Sequence, residues 1–381
     1  MNMRKIPVNR PQITQADKDA VNASLEETFI SGEAPPVKTF EENFSSYLGC
    51  AGAVAVSSGT TAIDLAVEML DLKPGDTCIV PTFTIISTVS NLLRKKVNLI
   101  LVDSDPDTWS VDVNQLATLV DESTKLIVPV HIYGLPVDMD PITTIANEYD
   151  AFVLEDAAEA LGVEYKGKKC GSLGDASIFS LYANKLITAG EGGLICSNDL
   201  DYLDKVRYFK NLCFNNKERF VHTDLGWNYR FPSLSAALAN SQLQRIEQIK
   251  KIKQNMAKLY IELLQDHPWL SFMPKEVDYS QNQFWVFPIL LKEGCPFTVR
   301  ELQEKLLERG IETRRFFYPI HLQPLLEKGN ISIPFGGQVA EELWRKGMYL
   351  PSGVGLELEE IEVVCKSLWE LVGNSKGVTN I

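Results

Sequence analysis

Between Ser180 and Gly193 the chain reads SLYANKLITAGEGG, with one lysine, Lys185, ahead of a turn built on Gly190, Gly192 and Gly193. An amine held in a partly dry pocket loses proton affinity, because burial disfavours its charged form. It then becomes a nucleophile towards an aldehyde. A turn without side chains lets the backbone lie close to a flat ring and its substrate. A lysine at such a place is equally a solvated loop charge, so its reading depends on its surroundings.

Lys185 follows Asp156 by 29 residues. Asp156 stands in LEDAAEALG, residues 154–162, where a strand runs into Glu155 and Asp156. Carboxylates so placed lie at the carboxyl end of a strand, where open α/β sheets bind ligands. A carboxylate there can hold a protonated pyridine nitrogen, which is what pyridoxal phosphate needs to act as an electron sink. Glu159, one helical turn on, is placed to hydrogen-bond the phenolic oxygen of such a ring. Taken alone, an acidic pair after a strand caps the next helix. SSGTT, residues 57–61, sits between a strand and a helix. Its hydroxyls, its N–H groups and Gly59 would make a phosphate cradle, or simply an N-cap. Ser180 offers the phosphate one more hydroxyl. The ordered set of strand, acid, strand, lysine and glycine turn makes Lys185 the expected Schiff-base residue.

The elements that must hold these groups follow from periodicity. Ala53–Val56, Cys78–Val80, Val97–Val102, Leu126–Val130, Phe152–Leu154, Ala176–Phe179 and Gly193–Cys196 read as strands, several alternating with helical runs such as Ala62–Leu72 and Ile85–Arg94. That pattern predicts an α/β fold with a mainly parallel, mixed sheet between helices. Gln15–Thr28 has helical character. A loop through Gly32 and Pro35-Pro36 leads to a helix with Val37, Phe40 and Phe44 on one face, and it either crosses to a neighbouring subunit or straps its own domain. Ala237–Leu264 reads as one long amphipathic helix joining two domains. Gln283–Leu291 then reads as a strand, Arg300–Arg309 and Glu359–Leu371 as helices, and Gly373–Ile381 as a loose end. The expected division is an arm and large α/β domain over residues 1–250, and a smaller α+β domain over 251–381.

Composition narrows the function. The 381 residues carry 37 basic and 50 acidic side chains, a net charge of −13, which argues against a nucleic-acid partner. Seven scattered cysteines without a CxxC pair read as thiols in a reducing, cytoplasmic setting, and four histidines show no metal-ligand spacing. No metal and no membrane are expected. Neither a Walker motif nor a GxGxxG follows a strand, which disfavours a nicotinamide oxidoreductase.

Further stretches carry a resemblance over nearly the whole chain: IPVNRP at 6–11, SSGTTA, PTFT, VHIYGLPVDMD at 130–140, EDAAEALG, the run from Lys185, GWNYRFPSLSAALA at 226–239 and ETRRFFYPIHLQP at 312–324. Together they resemble the DegT/DnrJ/EryC1/StrS sugar aminotransferases, which are fold-type I pyridoxal phosphate enzymes. The resemblance implies that Lys185 carries the cofactor and serves as acid and base, that Asp156 pairs with the pyridine nitrogen, and that Glu159 meets the phenolic oxygen. Gly59, Thr60 and Ser180 would hold the phosphate, with Asn228 of the partner subunit, which implies a homodimer with shared active sites. Ile85 stands where the family commonly stacks an aromatic ring on the cofactor. Ser235 and Leu135 also depart from the usual residues.

The resemblance further implies transfer of the amino group of L-glutamate to the 4-keto carbon of a nucleotide-linked 4-keto-6-deoxysugar. Within the group the chain is most similar to members that make GDP-perosamine from GDP-4-keto-6-deoxy-D-mannose; a dTDP- or UDP-sugar is the alternative. Arg230, Arg314, Arg315 and Lys210 are candidates for the diphosphate or the glutamate carboxylates, or plain surface charges. Tyr318 and His321 are candidates for the sugar hydroxyls, and Trp285 reads as a core residue. A related sugar 3-dehydratase would carry histidine where Lys185 stands, and a non-catalytic regulator would not need Asp156, Ser180 and Lys185 together.

Overall fold

Apolar runs alternate with amphipathic stretches from Gly52 to Lys210. In the computed structural model, which describes residues 5–373 apart from 216, 329 and 330, they form strands and helices in succession. Two helices come first, α1 (Gln15–Glu26) and α2 (Pro35–Leu48). Pro35 and Pro36 open α2, where a missing N–H is harmless. Val37, Phe40, Phe44 and Leu48 make its buried stripe, and Gly49, at φ 83°, ends it. Then follow β1 (Gly52–Val56), α3 (Gly59–Glu68), β2 (Thr77–Pro81), α4 (Ser87–Lys95), β3 (Asn98–Val102), the short α5 (Val113–Ala117), β4 (Thr124–Ile127), α6 (Met139–Tyr149) and β5 (Phe152–Asp156). A hairpin, β6 (Glu164–Tyr165) and β7 (Lys168–Lys169), leads to β8 (Ala176–Ser180), β9 (Gly193–Ser197) and α7 (Leu200–Lys210).

Beyond these lie α8 (Ser233–Gln244), α9 (Ile246–Leu264), β10 (Leu270–Phe272), a hairpin of β11 (Glu276–Val277) and β12 (Ser280–Gln281), and β13 (Phe287–Leu291). The chain continues through α10 (Val299–Glu308), β14 (Arg314–Arg315), β15 (Ile331–Ser332), α11 (Gln338–Lys346), β16 (Gly347–Leu350) and α12 (Leu358–Leu368). The large sheet has the order β1-β9-β8-β5-β4-β2-β3-β15, and the smaller one β10-β13-β16-β14. Every pairing in the large sheet is parallel except the two made by β9. The carboxyl ends of β1, β2, β5 and β8 therefore share one edge with the start of β9. Ser57–Gly59, Thr82–Ser87, Asp156, Ser180–Lys185 and Gly193 are delivered to that edge. This is the mainly parallel, mixed sheet between helices that the strand pattern predicts.

Two apolar cores are joined by α9. Its Ile246 and Ile249 pack with α2 and α8, whereas Met256, Tyr260 and Leu264 pack with the smaller sheet, α10 and α12. An aromatic cluster of Phe83, Tyr133, Trp285, Phe316 and Tyr349 lies between them. Among the described residues no helix is long and apolar enough to cross a membrane.

The structure corrects two local expectations. The helix predicted over Ala237–Leu264 is two helices, broken at Arg245 (φ −111°, ψ 19°). There the guanidinium turns back to Gln12 and to Oδ2 of the buried Asp17, at 2.8–2.9 Å. The strand predicted from Gln283 begins at Phe287, because Asn282–Val286 fold over another loop. Phe284 takes φ 49°, Gln283 N–H donates to Gly134 O, and Trp285 N–H to Tyr133 O. The loop at Ser31–Gly32 straps its own chain, with Ser233 N–H donating to Ser31 O. The end from 374 onward lies outside the described residues.

Candidate active site

Asp156 ends β5 and is 3% exposed. Its Oδ2 accepts from Thr88 Oγ1 at 3.0 Å and its Oδ1 from the Ala158 N–H at 3.2 Å. Among the described residues no ion pair joins it to a cation. Burial pushes its pKa up, against the pull of those two donors and of the charges on Lys185 and His131. Its neighbour Glu155 points the other way, as alternation along a strand requires. Glu155 accepts from His131 Nε2 and from the N–H groups of Gly171, Leu173 and Gly174, at 2.6–3.0 Å. Of the acidic pair, Glu155 is therefore committed to holding a loop, and Asp156 is left to the site.

Lys185 lies 3.6 Å from Oε1 of Glu159, and its Nζ sits 3.8 Å from the centre of the Trp285 ring. Burial lowers the lysine pKa, while Glu159 and Asp156 pull it back up. Burial likewise raises Glu159 to about 7, opposed mainly by Lys185 and by the Tyr133 N–H that Glu159 accepts at 3.0 Å. Both members of the pair are thus pushed towards neutrality. The free amine is the form of lysine that attacks a carbonyl and takes up a proton.

The turn after β1 is both an N-cap and a cradle. The Ser58 side chain accepts from the Thr61 N–H at 3.1 Å, which leaves the Gly59 and Thr60 N–H groups without intrahelical partners at the start of α3. Thr60 Oγ1 lies 2.9 Å from Oγ of Ser87, the first residue of α4, so two positive helix ends meet here. A Cβ on Gly59 would lie 2.9 Å from Ser180 Cβ, and one on Gly193 only 2.5 Å from Ser58 O. Glycine at both places is what lets β8, β9 and α3 close on one another. An anion cradle, a buried carboxylate without a cation and a lysine driven towards its free amine suit a phosphorylated ring aldehyde with a protonated nitrogen. The residues present fit pyridoxal phosphate.

The remaining expected residues are placed as follows. Ile85 is 47% exposed and precedes α4, beside the Thr84 and Thr88 hydroxyls that lead to Asp156. Asn228 is exposed and its side chain makes no hydrogen bond among the described residues, although the next residue, Tyr229, accepts from Ser57 N–H at 3.0 Å. Arg230 donates to Asn211 Oδ1 at 2.7 Å. Arg314 is exposed and pairs in register with Tyr349, at the rim of the aromatic cluster. Arg315 points to the opposite face and stacks 4.3 Å over Trp344, against which Tyr318 also packs edge-on. His321 is held by both ring nitrogens, Nδ1 at 2.7 Å from Thr82 Oγ1 and Nε2 at 3.2 Å from Glu341. Lys210 is not available to an anion: it is 8% exposed, pairs with Glu41 at 3.1 Å and donates to Ala55 O at 2.9 Å.

Three residues at the site escape sequence reasoning. Ser87 and Thr88 follow PTFT at the start of a helix at the sheet edge, and hydroxyls at that place are the signal they carry. Trp285 does pack in the core, as its apolar neighbours suggest, but one face of its ring meets Lys185. Nothing local in QFWVF announces that contact.

A model of the DegT/DnrJ/EryC1/StrS aminotransferase family matches residues 11–369. The GDP-perosamine synthase of Escherichia coli O157:H7 is 34% identical over 368 residues, covering 97% of this chain and 99% of that relative. The GDP-perosamine synthase of Caulobacter vibrioides is 33% identical over 373 residues, covering 96% and 98%. The solved structure of Escherichia coli GDP-4-keto-6-deoxy-D-mannose-3-dehydratase with bound hydrated PLP matches with a TM-score of 0.88 at 25% identity, over 96% of this chain and 100% of that one. A Helicobacter pylori aminotransferase involved in the biosynthesis of pseudoaminic acid matches with a TM-score of 0.90 at 24% identity, over 97% and 100%, a likeness of fold alone.

Proposed function

The chain belongs to the DegT/DnrJ/EryC1/StrS aminotransferase family, and from that premise we propose that it transfers the amino group of L-glutamate to C4 of GDP-4-keto-6-deoxy-D-mannose, giving GDP-perosamine. It is a pyridoxal-phosphate-dependent sugar nucleotide aminotransferase. The sugar is read from its full-length relatives, two of which are GDP-perosamine synthases at 34% and 33% identity. The observation that carries the chemistry is Lys185 facing Glu159 at 3.6 Å beside the buried Asp156.

Bound pyridoxal phosphate supplies an aldehyde carbon for amines and a ring that takes up the electron pair left by a departing C–H proton. The chain's own residues do the rest. Asp156, kept dry and oriented by Thr88, holds the charge of a ring nitrogen. Gly59, Thr60 and Ser87, from two helix ends, and Ser180, from the end of β8, bind and orient the phosphate. Lys185 carries the cofactor, and once freed its Nζ takes the proton from the substrate carbon and returns it. Glu159 lies within reach of that amine and holds its charge. One amine thus serves both halves of the exchange, and no histidine is required.

A lysine at 185 weighs against the 3-dehydration of the similar Escherichia coli enzyme, whose sugar nucleotide would be the same. We read the protein as a homodimer in which Asn228 of the partner subunit completes the phosphate site. The exposed Phe220, Val221 and Leu225 near that residue support a covered face. Its seven cysteines are all free thiols, in keeping with a cytoplasmic setting.

The purified protein is expected to show a visible chromophore that borohydride bleaches, and Lys185→Ala to abolish that reduction. A protein that stays colourless with added cofactor would overturn the chemistry. Glutamate-dependent amination should follow with GDP-4-keto-6-deoxy-D-mannose; turnover with only dTDP- or UDP-sugars would overturn the GDP assignment.

A further inference from the structure

Lys185 sits on a loop whose neck is closed by its own backbone. Leu181 N–H donates to Gly192 O at 2.8 Å, Ala189 N–H to Leu181 O at 3.0 Å, and Thr188 Oγ1 to Leu181 O at 2.9 Å. Beyond the neck, Lys185 N–H closes a turn on Tyr182 O at 2.9 Å. These bonds shape the loop but do not fix where its tip lies relative to the site.

Two side chains from distant parts of the sequence supply that reference. Trp285 Nε1 donates to Asn184 O at 2.9 Å, and Asn9 Nδ2 donates to Ala183 O at 3.0 Å. The carbonyls of the two residues preceding the lysine are therefore both gripped from outside the loop. We propose that Trp285 and Asn9 are positioning residues for Lys185, holding its loop tip by these two carbonyls, with the Trp285 ring face as a wall for the amine. This rests on the reading of Lys185 as the cofactor-bearing lysine.

Each grip is itself anchored. Trp285 N–H is bonded to Tyr133 O at 3.1 Å, its ring stacks on Tyr133 at 6.2 Å, and Gly134 has no room for a Cβ, which would lie 2.7 Å from Trp285 N. Asn9 lies on an extended strap pinned on both sides. Ser352 N–H donates to Val8 O at 3.0 Å, Gly355 N–H to Arg10 O at 2.9 Å, and Arg10 pairs with Glu360 at 2.8 Å. Both grips thus tie the loop from the large sheet to the unit built on the smaller sheet. A long, flexible amine loses placement quickly when its backbone drifts, and proton transfer needs it within hydrogen-bond reach. The ring wall acts on charge as well as place, since an aromatic face favours the ammonium over the free amine.

The variants Trp285→Phe, Trp285→Leu and Asn9→Ala separate these contributions. Phe keeps the ring and loses the donor, Leu loses both, and Ala at the strap leaves the core untouched. In the cofactor-free protein, amide hydrogen exchange over residues 182–187 should rise about tenfold in Trp285→Phe and Asn9→Ala, as the loss of one hydrogen bond to a half-buried carbonyl implies. Acetylation of Lys185 as a function of pH, read by peptide mass spectrometry, should move down by roughly half a pH unit in Trp285→Leu only. With cofactor, Trp285→Phe and Asn9→Ala should keep the borohydride-reducible chromophore and lose about tenfold in kcat, with KM for glutamate within about twofold. Unchanged exchange over 182–187 and an unmoved Lys185 titration, with the wild-type pyridoxyl label on Lys185, would overturn the clamp alone. A faster exchange spread evenly over the whole chain would overturn it too, marking a plain stability defect. A wild-type label on another lysine would instead overturn the functional reading beneath it.

Discussion

Thr88 Oγ1 donates to Asp156 Oδ2 at 3.0 Å, from the second residue of a helix whose first residue, Ser87, meets Thr60 at the phosphate cradle. One turn of chain thus serves both ends of the expected cofactor. Thr88→Val keeps the shape and removes one of the two donors, so Asp156 gains proton affinity and is oriented by the Ala158 N–H alone. Affinity for pyridoxal phosphate should fall by about tenfold, the effect of one hydrogen bond to a charged group. Titration of the cofactor-free protein followed by absorbance measures this, and an unchanged affinity would remove Thr88 from the site.

Ser87 makes a separable prediction. Ser87→Ala leaves the α4 backbone in place and takes one hydroxyl from the junction of the two helix ends. Inorganic phosphate should then compete several-fold less well for the cofactor-free site, by about 1 kcal/mol, while the chromophore's pH dependence stays as in the wild type. A change in that pH dependence instead would place Ser87 with Asp156 rather than with the phosphate.

Lys210→Met tests the reassignment of a candidate anion ligand. Removing the lysine leaves Glu41 facing a buried strand without its cation, at a cost of about 3 kcal/mol of stability. Thermal unfolding should shift down markedly with KM for the sugar nucleotide unchanged. A raised KM with unchanged stability would return Lys210 to the substrate.

Lys253 is 2% exposed on α9 and donates to Ser352 O, with no carboxylate partner among the described residues, and burial lowers its pKa to about 7. In the unfolded chain it keeps its proton to about 10.5. Between these values the unfolded state binds more protons, so this residue makes stability rise with pH from about 7 to about 10.5. Below that window the full cost of a buried charge remains, on the order of 4 kcal/mol. Lys253→Met gives up the bond to Ser352 O and the weaker one to Met256 Sδ, together about 1 kcal/mol. It should therefore melt higher than the wild type at pH 7, with the gap closing as pH rises. A gap independent of pH would show that the lysine is charged and solvated.

The sheet edge and its chemistry were legible because each piece has a local signature. Apolar runs mark the strands, Glu155-Asp156 ends one of them, and Lys185 precedes three glycines. The break at Arg245 was hidden, since the apolar spacing runs through it without Gly or Pro, and only the distant Asp17 and Gln12 explain the turn. Lys210 could have been placed inside: with Leu203 and Val206 it repeats at helical spacing on the buried stripe of α7. The contacts of Asn9 and Trp285 with the lysine loop were not legible, because their partners there are backbone carbonyls, which no side-chain pattern reports.

The strand β15 adds Ile331 and Ser332 to the outer edge of the large sheet, against Leu99 and Ile100, while Ile320 and Leu326 fill the core beneath. A ribosome emitting this chain completes every other strand of that sheet long before it reaches these residues. Until then β3 presents an open row of N–H and C=O groups, the template on which stray strands add. A fragment cut after α9 would keep that exposed edge permanently and precipitate. The nascent protein is therefore most exposed to aggregation in the interval between the emergence of β9 and that of β15.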